Sequence, residues 1–174
     1  SVMNRPDIGM IDEVGVSAGR PEWLYFKWKG LEKNWSSHQK RAKEDLLETA
    51  VSSFHKSGIR VAAIIDIFGP KYIKEHPDAA AVRFDGQINT EQLIFLEITE
   101  GEYGRMILEM IGYLCRNYQI DVVNLTEMSY YSYSYGQDDL RSYEAFSGRS
   151  GWPKTSSGLI DREDPTIWEW RSAY

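Results

Sequence analysis

Two apolar runs, Ile59 to Phe68 and Ile120 to Thr126, each follow an amphipathic helical stripe, and this order narrows the fold more than any other feature of the chain. Strands buried on both faces read as near-continuous apolar runs, and helices that connect such strands leave them parallel. Before the first run, Ala42, Leu46, Ala50 and Phe54, with Leu47 and Val51, make an apolar stripe that ends at Gly58. Ser36 with Gln39 three residues on resembles a capping box for that helix. Before the second run, Tyr103, Met106, Ile107, Met110, Ile111 and Leu114 recur at helical spacing after a second such pair, Thr99 and Glu102. Trp23 to Trp28 is predicted as a further strand, with Ile11 to Val16 as its companion. The alternation predicts an α/β fold with parallel strands.

The connection from Pro70 to Gly101 holds two predicted short strands, Ala81 to Phe84 and Leu93 to Ile98. A helix is predicted over Asp139 to Phe146, ending near Gly148, and Asp164-Pro165 marks the start of another. Three or four barrel-type strands fall in 174 residues, where a complete eight-stranded barrel takes about 250. Two architectures fit. One is a partial (β/α)8, TIM-barrel-like domain occupying residues 1–174 and incomplete at its C-terminus; the other is a smaller open-sheet fold. Trp168, Trp170 and Tyr174 favour the first, because they are expected to leave apolar surface uncovered. Association through that aromatic surface, or with the rest of a longer chain, is the expected consequence.

Composition excludes several classes. A net charge of -6 argues against nucleic acid and anionic membranes as partners, since a phosphate backbone demands a basic surface. No run approaches the roughly 18 apolar residues of a membrane span. The N-terminus lacks the basic and apolar segments of a signal peptide, and localisation stays open, secretion or the cell surface included. The single cysteine, Cys115, lies in a helical apolar pattern and is expected to be a buried thiol. His38, His55 and His76 are too scattered for a metal signature, so neither metal nor cofactor is expected.

The chemistry is concentrated at strand ends. In barrels of parallel strands, the residues just past the C-terminal ends of the strands form the active site. Glu127 holds that position after the second apolar run, and Asp66 is the sole acid of the first. Neighbouring parallel strands lie about 4.8 Å apart, so the two carboxylates could share one site if the strands are adjacent. Simple alternation puts Asn124 on the opposite strand face from Glu127, either to bond a sugar hydroxyl or to fill a polar core layer. Tyr130, Tyr131, Tyr133 and Tyr135 follow, and Trp152 offers another ring. Rings beside a carboxylate suit a carbohydrate, whose C–H faces pack on aromatics while its hydroxyls need polar partners. The same alternation suits a segment packing on its own domain.

Taken in order, Phe54-His55-Lys56-Ser57-Gly58-Ile59-Arg60-Val61, His76-Pro77-Asp78, Tyr118 to Glu127, Trp152-Pro153 and Trp170-Arg171 resemble the family-10-like glycosyl hydrolases and the barrel glycosidases near them. The resemblance spans most of residues 36–174. It implies a (β/α)8 barrel that binds or cleaves a polysaccharide or glycan. Asp121 matches the first acid of the family's strand-end phrase and Glu127 its last, while Thr126 stands where another acid is often found. Three functions follow as expectations: a glycoside hydrolase with Glu127 and Asp66 as its carboxylates, a carbohydrate-binding barrel without catalysis, or an assembly domain.

Overall fold

The computed structural model describes residues 11–127 and 134–173. In chain order its elements are β1 (Glu13–Arg20), β2 (Trp23–Leu24), α1 (Ser37–Arg41), α2 (Leu46–His55), β3 (Arg60–Asp66), α3 (Pro70–Glu75), β4 (Ala80–Val82), β5 (Ile88–Leu93), α4 (Phe95–Thr99), α5 (Glu102–Asn117), β6 (Val122–Thr126), α6 (Gln137–Ser147) and α7 (Pro165–Ser172). The backbone divides into two compact units, residues 1–67 with 105–128, and residues 68–104 with 129–174.

The first unit is built on a four-stranded sheet in the order β2-β1-β3-β6. β3 pairs in parallel with β1 on one side and with β6 on the other, and β2 is an antiparallel edge. This mixed α/β arrangement is consistent with a partial, incompletely closed barrel. Val61, Ala63 and Ile65 of β3 enter the core with Leu47 and Val51 of α2 and with Met110 and Leu114 of α5. Period-two alternation puts Gly15, Ser17 and Asn124 on the other sheet face, where all three are exposed.

The predicted helix through Ala42 is two helices. Ser36 caps α1, its hydroxyl accepting from the Gln39 amide at 3.1 Å. Ala42 then turns extended, and Asp45 starts α2 by accepting from the Leu47 and Glu48 amides at 3.0 and 3.1 Å. A side chain that caps the first turn requires its own backbone to be non-helical, so Asp45 enforces the break. Its other oxygen accepts from the Lys27 amide at 2.5 Å and the Tyr118 hydroxyl at 2.7 Å. Burial first, and then the Asp45 bond, raise the Tyr118 phenol above its ordinary range.

In the second unit β4 and β5 form an antiparallel pair. The strand predicted over Leu93 to Ile98 is corrected: β5 ends at Leu93, and α4 begins at Phe95. The signal passed over was Asp85-Gly86, a hairpin dipeptide, where Gly86 has φ 83° and its amide bonds the Arg83 carbonyl at 2.9 Å. A second core gathers Tyr135, Tyr143, Ile160, Ile167 and Trp170. Gly148 terminates α6 in the left-handed conformation, and Asp164 caps α7 ahead of Pro165.

Two expectations about exposure are reversed. Cys115 is exposed, because α5 turns its neighbour Leu114 into the core. Trp170 is 6% exposed, packed on Tyr143 and Trp152, whereas Trp168 remains open at 44%. Tyr174 lies outside the described residues.

Candidate functional site

The parallel register decides which sequence-predicted residues come together. Asp66 is opposite Thr126 across β3 and β6, so Asp66 and Glu127 lie at the same C-terminal edge of adjacent strands. Glu127 follows the last residue of β6 with φ 67°, the non-glycine residue with positive φ among those described. A side chain in the left-handed region costs roughly 1–2 kcal/mol. Such outliers concentrate at functional sites. This conformation also ends the strand's alternation, so Glu127 is not bound to the face that its position in β6 would dictate.

The structure adds Arg20 to this edge. Its Nη1 donates to Asp66 Oδ2 at 3.0 Å, and its Nε is 3.5 Å from Glu22 Oε1. The guanidinium also lies 5.4 Å from the Trp23 ring centre. What brings it here is the tight turn from β1 to β2. Gly19 has φ 89°, and a Cβ on it would stand 2.1 Å from the Trp23 carbonyl oxygen, so the turn requires glycine. A register irregularity between Ser17 and Gly19 accompanies it.

Arg20, Glu22 and Trp23 were not singled out in the sequence. The signal available was Gly19-Arg20-Pro21-Glu22, a turn-like stretch immediately before a predicted strand. Tyr25 and His38 continue the aromatic surface from Trp23, with centroid separations of 5.6 Å and 6.3 Å.

The other predicted residues fall elsewhere. Asn124 is in β6 opposite Ile64, two residues before Thr126. Tyr130, Tyr131 and Tyr133 lie outside the described residues. Trp152 belongs to the second unit, stacked on Tyr143 at 4.8 Å and edge-on to Tyr135 at 5.4 Å, against that unit's core. Asp121 precedes β6, at the end opposite to Glu127. It accepts from the Val61 amide at 2.7 Å and pairs with His55 Nε2 at 2.8 Å. The Val61 amide, and then His55, hold its carboxyl below the usual range. Asp121 and His55 therefore tie the end of α2 to the start of β6, a structural role.

A cleft of about 400 Å³ in the second unit is lined by Tyr72, His76, Asp78 and Glu97 among others. Glu97 Oε1 accepts from the Tyr72 hydroxyl and the Tyr103 amide, both at 2.8 Å, which anchors the start of α5. Among the described residues, none of the predicted site residues lines this cleft. Among the described residues no group of His, Cys, Asp and Glu is arranged to hold a metal ion, and no helix is long and apolar enough to cross a membrane.

No family model matches this chain, and no curated protein matches it. Its fold is similar to that of α-L-fucosidase isoenzyme 2 from Paenibacillus thiaminolyticus, with a TM-score of 0.61 and 18% sequence identity. The match covers 97% of this chain and 24% of that one, so the chain spans about a quarter of the length of the protein it resembles. At this identity the likeness is one of fold. It shows a fold shared with part of that fucosidase, without selecting the family-10-like group and without a closed barrel.

Proposed function

We propose that the strand-end edge of the first unit is the glycan site of a glycoside hydrolase, with Glu127 as acid/base or nucleophile and Asp66 as its partner carboxylate. The observation that supports this most is the register that puts both acids at one edge of adjacent parallel strands, with Glu127 held in a left-handed backbone. Hydrolysis breaks the bond between the anomeric carbon and the leaving oxygen. A carboxylic acid gives its proton to that oxygen, and the oxygen of water ends on the anomeric carbon, directly or after a glycosyl-carboxylate intermediate. Arg20 would orient Asp66 through their 3.0 Å ion pair. Asn124 is proposed as a flanking contact to the sugar.

The same ion pair supports a second reading, a glycan-binding site without turnover, since it already occupies one oxygen of Asp66 and Thr126 supplies no further acid. A hydrolysis screen over a panel of soluble glycans, run beside binding, separates the two. Glu127→Gln should abolish turnover, by at least a hundredfold, while binding persists. Turnover unchanged in that variant would remove Glu127 from the chemistry, and binding without turnover in the unaltered protein would select the second reading.

A further inference from the structure

We infer that Trp23, Tyr25 and His38 form a row of sugar platforms that extends the strand-end site outward, so that it takes an oligosaccharide of at least three units rather than a single sugar. The inference rests on the glycan reading of that edge and specifies its substrate class. β2 ends at Leu24, which is fully buried, and the Trp23 and Tyr25 rings on either side of it lie against each other. The ring centres are 5.6 Å apart with a 36° tilt, and His38, presented by α1, continues at 6.3 Å with a 33° tilt. These spacings are comparable to the length of one pyranose unit in an extended glycan, and the modest tilts give a gently curved surface.

The row is open at its ends, with Tyr25 half-buried between them. Trp23 is 39% exposed with Arg20 against it, and His38 is exposed. Among the described residues, the Tyr25 hydroxyl and the His38 ring nitrogens make no hydrogen bond. Rings with free polar atoms at their edges meet both needs of a sugar, an apolar face to stack on and donors or acceptors for hydroxyls. The row begins at Arg20, whose guanidinium spans from the Trp23 ring to Asp66. A glycan lying on it therefore runs toward the carboxylates.

The test is isothermal titration of the Glu127→Gln protein with cello-, xylo-, manno- and chito-oligosaccharides of one to five units. Affinity in at least one series should rise with each unit up to three. Trp23→Ala should weaken trisaccharide binding at least tenfold with the circular dichroism unchanged, and His38→Ala should weaken the trisaccharide but not the monosaccharide. A series bound equally well at every length, or unaffected by Trp23→Ala and His38→Ala, overturns the row and leaves the strand-end site standing. Failure of every series to bind overturns both. A drop in mass by light scattering on Trp23→Ala would show that a second copy covers the rings, and would also overturn the inference.

Discussion

The first unit carries an exposed row of aromatic rings beside its core-packed Phe26, Trp28, Tyr113 and Tyr118 set, and that row is used in the opposite way to the buried cluster of the second unit. In the second unit Tyr143 is fully buried, stacked on Trp152 and edge-on to Trp170, and its hydroxyl is 2.8 Å from Thr166 Oγ1. In the first unit Trp23 and His38 are exposed at the two ends of a row joined by the half-buried Tyr25. The residue types and ring separations are alike; what differs is whether a helix closes over the rings. α6 and α7 cover the second set, and nothing among the described residues covers the first. Aromatic content alone therefore cannot distinguish a binding platform from a core, and the neighbouring elements decide.

That contrast predicts the largest difference. Tyr143→Ala should cost about 3–5 kcal/mol, the range for emptying a core aromatic site, whereas Trp23→Ala should cost under about 1 kcal/mol because its ring is already partly in water. Urea unfolding of the two variants beside the unaltered protein measures both. Equal losses would mean that the Trp23 row is structural, and the division between platform and core would fail.

Much of the fold could be read from the sequence because it rests on local periodicity. The stripes that became α2 and α5, the apolar runs of β3 and β6, and the Asp164-Pro165 start of α7 are all short-range signals. The break at Ala42 was masked by the apolar stripe that runs through it, although the Asp45 cap on the Leu47 and Glu48 amides that makes it is local. At the candidate site, the sequence offered Asp66 and Glu127 from their positions at strand ends. It concealed Arg20, whose place depends on a glycine turn and on a cross-strand ion pair to Asp66. It also concealed that Trp152 packs against the second unit's core, since stacking on Tyr143 leaves no periodic trace.

The two units differ again in how they bury a capping carboxylate. Asp45 is 9% exposed and accepts from two helix amides, the Lys27 amide and the Tyr118 hydroxyl. Removing it leaves four donors without their acceptor, so Asp45→Ala should cost about 3 kcal/mol, more than a simple helix cap. Tyr118→Phe removes a single donor and should cost about 1 kcal/mol. Thermal and urea unfolding of both variants would check the ratio, and an Asp45 loss no larger than that of Tyr118→Phe would show that the four bonds do not act together.

Asp139 is as buried as Asp45, at 8%, but its recorded acceptance is from the Gly136 amide at 2.9 Å. Burial therefore prevails and pushes its carboxyl up to about 6, with the Gly136 bond and the Arg171 charge pulling the other way. The sign follows from the unfolded value. A carboxyl raised in the folded state contributes stability that is present below its unfolded pKa, near 3.8, and is lost as pH rises through about 6. The loss between those limits should be roughly 2 kcal/mol, allowing for the part of the group that still sees water. Asn at this position keeps an oxygen for the Gly136 amide and carries no charge. Asp139→Asn should therefore match the unaltered protein near pH 4 and become progressively the more stable of the two toward pH 7. Asp121 and Asp164, held low by their hydrogen bonds, impose the opposite trend on both proteins, so it cancels in the difference. Urea unfolding at four pH values from 4 to 7 reads that difference. A gap that stays constant with pH would mean that Asp139 is as well solvated by its partners as Asp45, and the second contrast between the units would disappear.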